Sequence, residues 1–348
     1  MASCRSIAAL TARLAAAGAG VDPGGWLRAW GYDDALLRDG RHPTRHDLDA
    51  AVAAVPTVVH HRTGHVAVLN SEALRLVDLD HHPDGVLVDA HDVLGRVPRI
   101  DEQQLTRAAA TVSAEWAARG VGAFTDATHT NGPADLELLG SWCGDGTIGQ
   151  QVVAMVGVEH LAGVPAFGER LGAVTVGHAK VMPADDAGDI DGNVAQATGH
   201  GFPAAVHVMD VDTLETTLGA FEAHPPPTGT HHHLEHNALC LPEQVPRIAA
   251  SGARVVVNPS FLVHRAAKYR RELSTVEREW LVRIRSLVEA GVAVRAGSDS
   301  PVVPSDPAEM LAAAVHRELA PAEAVDAAAA ARLLEPWPEW PGEYGRRR

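Results

Sequence analysis

Apolar residues along this chain keep two rhythms. Short unbroken runs at 121–126, 150–156, 174–182, 203–207, 232–236, 254–258 and 292–297 predict buried strands. Stretches at 105–119, 133–140, 212–223, 242–250 and 275–290, where apolar residues return every three or four positions, predict helices. The last three open near Asp, Pro, Ser or Thr and close near Gly or His, as helix ends do. Strand and helix alternating in units of roughly 25–40 residues indicate parallel βαβ architecture, either an open doubly wound sheet or a closed (β/α)8 barrel. A doubly wound sheet that binds a dinucleotide needs a glycine-rich phosphate loop after its first strand. Gly18-Ala-Gly20 with Asp22-Pro-Gly-Gly25 follows a helical pattern instead, and the proline breaks the required helix start. A barrel predicts polar residues at the C-terminal ends of several strands, which the sequence can test.

The first hundred residues are less regular. Residues 1–20 read as an amphipathic helix interrupted by Arg5 and Arg13, 26–32 and 57–61 as strands, and 65–70 as a strand turning into a capped helix at 71–74. Thr44 supplies a cap before another helix. This gives an N-terminal part of the barrel plus a small inserted α/β segment over 1–100, the remaining barrel units over 101–334, and an irregular proline-punctuated tail over 335–348.

Composition removes function classes rather than adding them. With 29 Lys+Arg against 44 Asp+Glu the net charge is -15, which argues against nucleic acid or an anionic membrane surface as partner. A mean hydropathy of -0.04 and no apolar run near the roughly 18 residues needed to cross a bilayer predict no membrane segment. Cys4, Cys143 and Cys240 show no paired spacing, so a reducing cytoplasm is the expected setting. A small-molecule substrate is left as the expected partner, with a homodimer open.

The strand ends carry the chemistry. Lys180, His207, His236 and Asp299 lie at or near the ends of strands, with separations of 27, 29 and 63 residues. One βα unit, one unit and then two units place all four at the same rim, with the 254–258 strand skipped. Two imidazoles and a carboxylate at one mouth form a zinc-type ligand set, or two ligands and a base that activates water. A lone strand-end histidine is more often structural, and Asp299 alone reads as a turn cap; the order on successive units favours a shared site. The His231–His233 run, His60-His61 and His81-His82 are assigned solvated or packing roles.

Thr63-Gly-His-Val-Ala-Val-Leu-Asn-Ser-Glu-Ala-Leu74, the Lys180 strand, Val206-His207, Leu234-Glu-His-Asn237 and Gly297-Ser-Asp-Ser-Pro-Val302 with Asp306-Pro307 resemble the amidohydrolase superfamily, specifically amidohydrolase family 3, whose members include N-substituted formamide deformylases. The resemblance implies a (β/α)8 TIM barrel of metal-dependent hydrolase type, one or two divalent ions with zinc foremost, and hydrolysis of a non-peptide C–N bond. It implies Lys180 as the strand-four lysine, carboxylated where it bridges two ions, His207 and His236 as metal ligands, and Asp299 as metal ligand and proton shuttle. His65 and Asn70 would line the substrate side. Members of the family open the barrel with a strand ending in His-x-His and flank it with a small β-sandwich. Neither pattern occurs here, and His233 stands where Arg is common. The expectation is an incomplete barrel, from an upstream start or a degraded member, with impaired metal binding. A catalytically inactive small-molecule-binding barrel is the rival reading.

Overall fold

The computed structural model describes Met1 and residues 4–98, 100–183 and 189–337. The expected irregular tail therefore lies outside the described residues from 338 onward. The chain divides into two compact units, residues 1–101 with 300–302, and residues 102–299 with 303–348.

The first unit holds a four-stranded sheet of β1 (Leu27–Tyr32), β2 (Thr57–His61), β3 (Val66–Leu69) and β4 (Val86–Val88), in that spatial order. β1 and β2 run parallel, whereas β2–β3 and β3–β4 are antiparallel. The helix Ile7–Gly18 turns Ile7, Leu10 and Leu14 inward, the i, i+3, i+7 stripe of an amphipathic helix, onto Leu27, Tyr32, Leu48 and Val59. Its N-cap Ser6 accepts from the Ala9 amide. The cap expected at Thr44 is present: the Thr44 amide donates to Asp47 Oδ2 at 2.7 Å at the head of Arg45–Val52. The short β4 was not legible in the sequence. Only three residues long, it is too brief to show a period.

The second unit is a parallel sheet that curls as a partial (β/α) barrel. Its strands are β5 (Ala123–Asp126), β6 (Gln151–Gly157), β7 (Arg170–Leu171), β8 (Val174–Val181), β9 (Ala204–Val208), β10 (His233–His236), β11 (Arg254–Val257) and β12 (Val294–Ala296). The hydrogen-bonded order is β12-β11-β10-β9-β8-β6-β5, all parallel, with β7 antiparallel on β8. Every residue of β8 is buried, the pattern of a strand covered on both faces. Between β9 and β10 the helix Val211–Ala223 inserts Leu214 and Leu218, both fully buried, each contributing about 1.5–3 kcal/mol of apolar burial. Its N-cap Asp210 accepts from the Asp212 and Thr213 amides.

One expectation needs correction. The stretch 275–290 is two short helices, Thr275–Arg278 and Ile284–Glu289, not one. Leu281 and Val282, both buried, make the break: Leu281 pairs with Leu239 as an antiparallel bridge, and the Val282 amide donates to the Ala238 carbonyl with Val282 at φ 46°. The bonds to residues 238–239 are long-range, so periodicity could not reveal them.

Candidate metal centre

The strand register builds the site. Glu235 of β10 lies opposite His207 of β9, while Lys180 of β8 lies opposite Ala205 of β9, which in turn faces His233 of β10; Lys180 therefore sits two residues earlier in the register than the His207–Glu235 rung. His236 ends β10 with φ 71°, and Asp299 follows β12 with φ 59°, a left-handed backbone that turns each chain at the rim. The His207 and His236 rings meet edge to face with centroids 4.5 Å apart.

His236 is oriented by a residue the sequence reading passed over. Its Nδ1–H donates to Asn258 Oδ1 at 2.7 Å, and Asn258 Nδ2 donates to the Gly297 carbonyl at 2.8 Å. One amide at the end of β11 therefore fixes the imidazole and braces the strand end that precedes Asp299. With Nδ1 engaged, Nε2 is the nitrogen left to ligate, the arrangement found around metal-bound histidines.

Burial sets the protonation states. It pushes the His207 imidazole down to about 4, aided by the Lys180 charge, and holds His236 well below the ordinary histidine range, so both rings are neutral near pH 7. Lys180 is 5 % exposed, and burial lowers its ammonium against the opposing pull of Glu235 and Asp299. Burial raises Asp299 to about 6 despite Lys180 and Arg265, and raises Glu235 despite Lys180. Glu235 Oε1 is buried without a hydrogen-bond partner among the described residues. Neutral imidazoles, a buried amine and acids short of partners form a donor set that fits a divalent cation. The ligand atoms of His207, His236 and Asp299 do not all fall within 4.8 Å of one another.

Elsewhere in the second unit, the His178 and His233 rings lie tilted at 34° with centroids 3.8 Å apart, and Trp337 lies 5.3 Å from His233 with the Arg254 and Arg295 guanidinium groups over its ring. His233 is thus a packed interior residue. In the first unit, Asn70 is fully buried and its amide is fully used: it accepts from the Thr57 and Ala73 amides and donates to the Val52 and Val55 carbonyls. His65 is exposed, with Nδ1 2.8 Å from Asp89 Oδ1. Structure therefore brings His207 and His236 into ring contact, places Lys180 in electrostatic reach of both rings and of Asp299, and gives Asn70 a structural task. Glu235 and Asn258 were the residues missed. Asn258 ends the apolar run 254–258, the feature that had singled out the others, whereas Glu235 stands one residue before the end of β10 and carried no such signal.

Comparison with known proteins identifies the family and the fold. The model of the amidohydrolase family matches residues 1–342. An N-substituted formamide deformylase of Arthrobacter pascens is 26 % identical over 377 residues, covering 90 % of this chain and 69 % of the relative. The putative amidohydrolase YtcJ of Bacillus subtilis (strain 168) is 27 % identical over 125 residues, 36 % of this chain and 24 % of that protein. Among solved structures, uncharacterized metal-dependent hydrolases from Pyrococcus furiosus and Pyrococcus horikoshii superpose with TM-scores of 0.72 and 0.74 at 20 % and 21 % identity. Each covers 95 % of this chain, which in turn covers 75 % and 76 % of them, and they show the shared fold.

Proposed function

The chain belongs to the amidohydrolase family, and from that premise we propose that it hydrolyses a non-peptide C–N bond, of amide or formamide type, in a small-molecule substrate. The observation that carries the reading is the His207–His236 pair, 4.5 Å apart, with His236 tied through Nδ1 to Asn258 and with buried Lys180 and Asp299 in electrostatic reach. His207, His236 and Asp299, with Lys180, would hold a divalent ion, zinc foremost. Such an ion supplies Lewis acidity, which polarises a carbonyl and acidifies water.

The residues do the rest. Asp299, with its pKa near 6, is a carboxylate at neutral pH and basic enough to take a proton from the attacking water. Handing that proton to the departing nitrogen lets the amine leave neutral and returns Asp299 to its starting state. Burial lowers the Lys180 ammonium and so eases its deprotonation; the neutral amine would add CO2 to give a carbamate with release of one proton, an anionic oxygen donor for a divalent ion. Asn258 keeps His236 in one tautomer throughout. N-substituted formamides are the first substrates to try, because the Arthrobacter pascens relative carries that name.

The test is formate or amine release by the purified chain loaded with zinc, across N-substituted formamides and simple amides. Turnover lost on chelation and restored by zinc is the expected result. Zinc content under about 0.2 equivalents after loading, with no hydrolysis of any panel member, refutes the enzyme reading and favours the non-catalytic binding barrel.

A further inference from the structure

Beyond Asn258 the rim continues into a helical segment that carries a cation with no acid of its own. We propose that this cation, Arg265, recognises a carboxylate on the substrate, so that the chain takes amides bearing a carboxylate close to the scissile C–N bond. The proposal rests on the reading that the His207–His236 cleft holds the amide.

The placement begins at Asn258. Its side chain braces His236, and its carbonyl accepts from the Phe261 amide at 3.0 Å as the short helix Phe261–His264 opens after β11. Phe261 is buried, and its ring stacks on the His236 imidazole at 15° with centroids 5.9 Å apart. Arg265 comes four positions later, one helical turn on, and its Cζ lies 4.7 Å from the Phe261 ring centroid. The Arg265 backbone is tied on both sides: its amide donates to the Phe261 carbonyl at 2.9 Å, and its carbonyl accepts from the Tyr269 amide at 3.0 Å. Imidazole, phenyl ring and guanidinium are thus linked in sequence. The Arg265 charge reaches the centre, where it adds to burial in holding His207 and His236 down and opposes burial at Asp299.

The independent observation is how its neighbours pair. His264 lies 2.8 Å from Glu309, Lys268 3.7 Å from Glu272 and Arg271 2.8 Å from Glu272, and Arg270 pairs with Glu318. Among the described residues no carboxylate forms an ion pair with Arg265, although the chain has 44 Asp and Glu against 29 Lys and Arg. Arg265 is half-buried, so water satisfies it only in part. Beside it, the buried Tyr269 hydroxyl makes no hydrogen bond of good geometry, and the Arg265 charge opposes the upward push of burial on that phenol. A planar carboxylate offers two acceptor oxygens to the guanidinium fork. A phosphate dianion fits less well, because it would carry more negative charge toward Asp299 and Glu235, which already repel each other.

The test reads binding without turnover. N-(methylsulfonyl)glycine and N-(methylsulfonyl)glycinamide differ only in carboxylate against amide, and their S–N bond resists hydrolysis. Isothermal titration calorimetry into the zinc-loaded whole chain should show the carboxylate bound about tenfold more tightly or better, as expected of a hydrogen-bonded charge. Arg265→Met should bring the two ligands within about threefold of each other. Arg265→Gln, which keeps part of the stem and a polar end, should do the same and carries the test where Arg265→Met disturbs packing. Arg271→Met, which removes an exposed charge paired with Glu272, should leave the preference unchanged. A carboxylate held by zinc would keep its advantage without Arg265, so a preference that survives both Arg265 substitutions overturns the proposal. Equal binding of the two ligands by the unaltered chain overturns it as well. A chain that shows the preference but hydrolyses no amide refutes the hydrolase reading and not the role of Arg265; one that hydrolyses neutral amides without the preference does the reverse.

Discussion

Asn258 offers the sharpest test of the candidate centre, since one side chain holds both His236 and the strand end before Asp299. In Asn258→Ala the His236 Nδ1–H loses its 2.7 Å acceptor and the Gly297 carbonyl its 2.8 Å donor. Losing the partner that orients a metal-bound histidine costs about 10–100-fold in affinity, or about 1.4–2.8 kcal/mol. Each polar group left buried and unpaired adds about 1–3 kcal/mol of instability. Asn258→Asp separates the two effects. A carboxylate still accepts from Nδ1 but cannot donate to Gly297, so zinc affinity should stay within a few-fold of the original while the melting temperature falls. Zinc affinity is read by competition with a chromophoric chelator and stability by thermal melting in EDTA. If Asn258→Ala binds zinc as tightly as the unaltered chain, His236 is not a ligand and the proposed centre is wrong.

Further expectations concern the acid, its pH dependence and the core. At saturating zinc Asp299→Ala should lower kcat by about 10²-fold or more, with zinc bound more weakly for want of one ligand; unchanged turnover would show that another group is the base. Because burial raises Asp299 to about 6, kcat/KM should fall as pH drops through about 6, and a flat profile between pH 5 and 7 would count against it. The stability sign is opposite: between its unfolded value of 3.8 and about 6 the folded chain holds a proton that the unfolded chain releases. Its contribution therefore weakens as pH rises through that window. Fully buried Leu214→Ala should cost about 2–5 kcal/mol in urea unfolding, and a loss under about 1 kcal/mol would mean the helix Val211–Ala223 is less tightly packed than its burial indicates.

Sequence alone determined the local and the periodic. Unbroken apolar runs located the parallel strands because a strand covered on both faces has no polar side to show, and the strand-end rule singled out Lys180, His207, His236 and Asp299 as candidates because a barrel gathers those ends at one rim. The capping residue Thr44 was legible because caps act within one helical turn. Only tertiary structure decided the rest. Asn258 becomes the brace of His236 through a bond between strand ends, Glu235 comes to face His207 through register, and 275–290 breaks at Val282 through a bond to Ala238. His61 read as a packing residue until the β1–β2 pairing placed it against Asp33 and Asp34. Each of these depends on which residues meet across strands. Side-chain identity fixes what a group can do, but register and burial fix what it does it to.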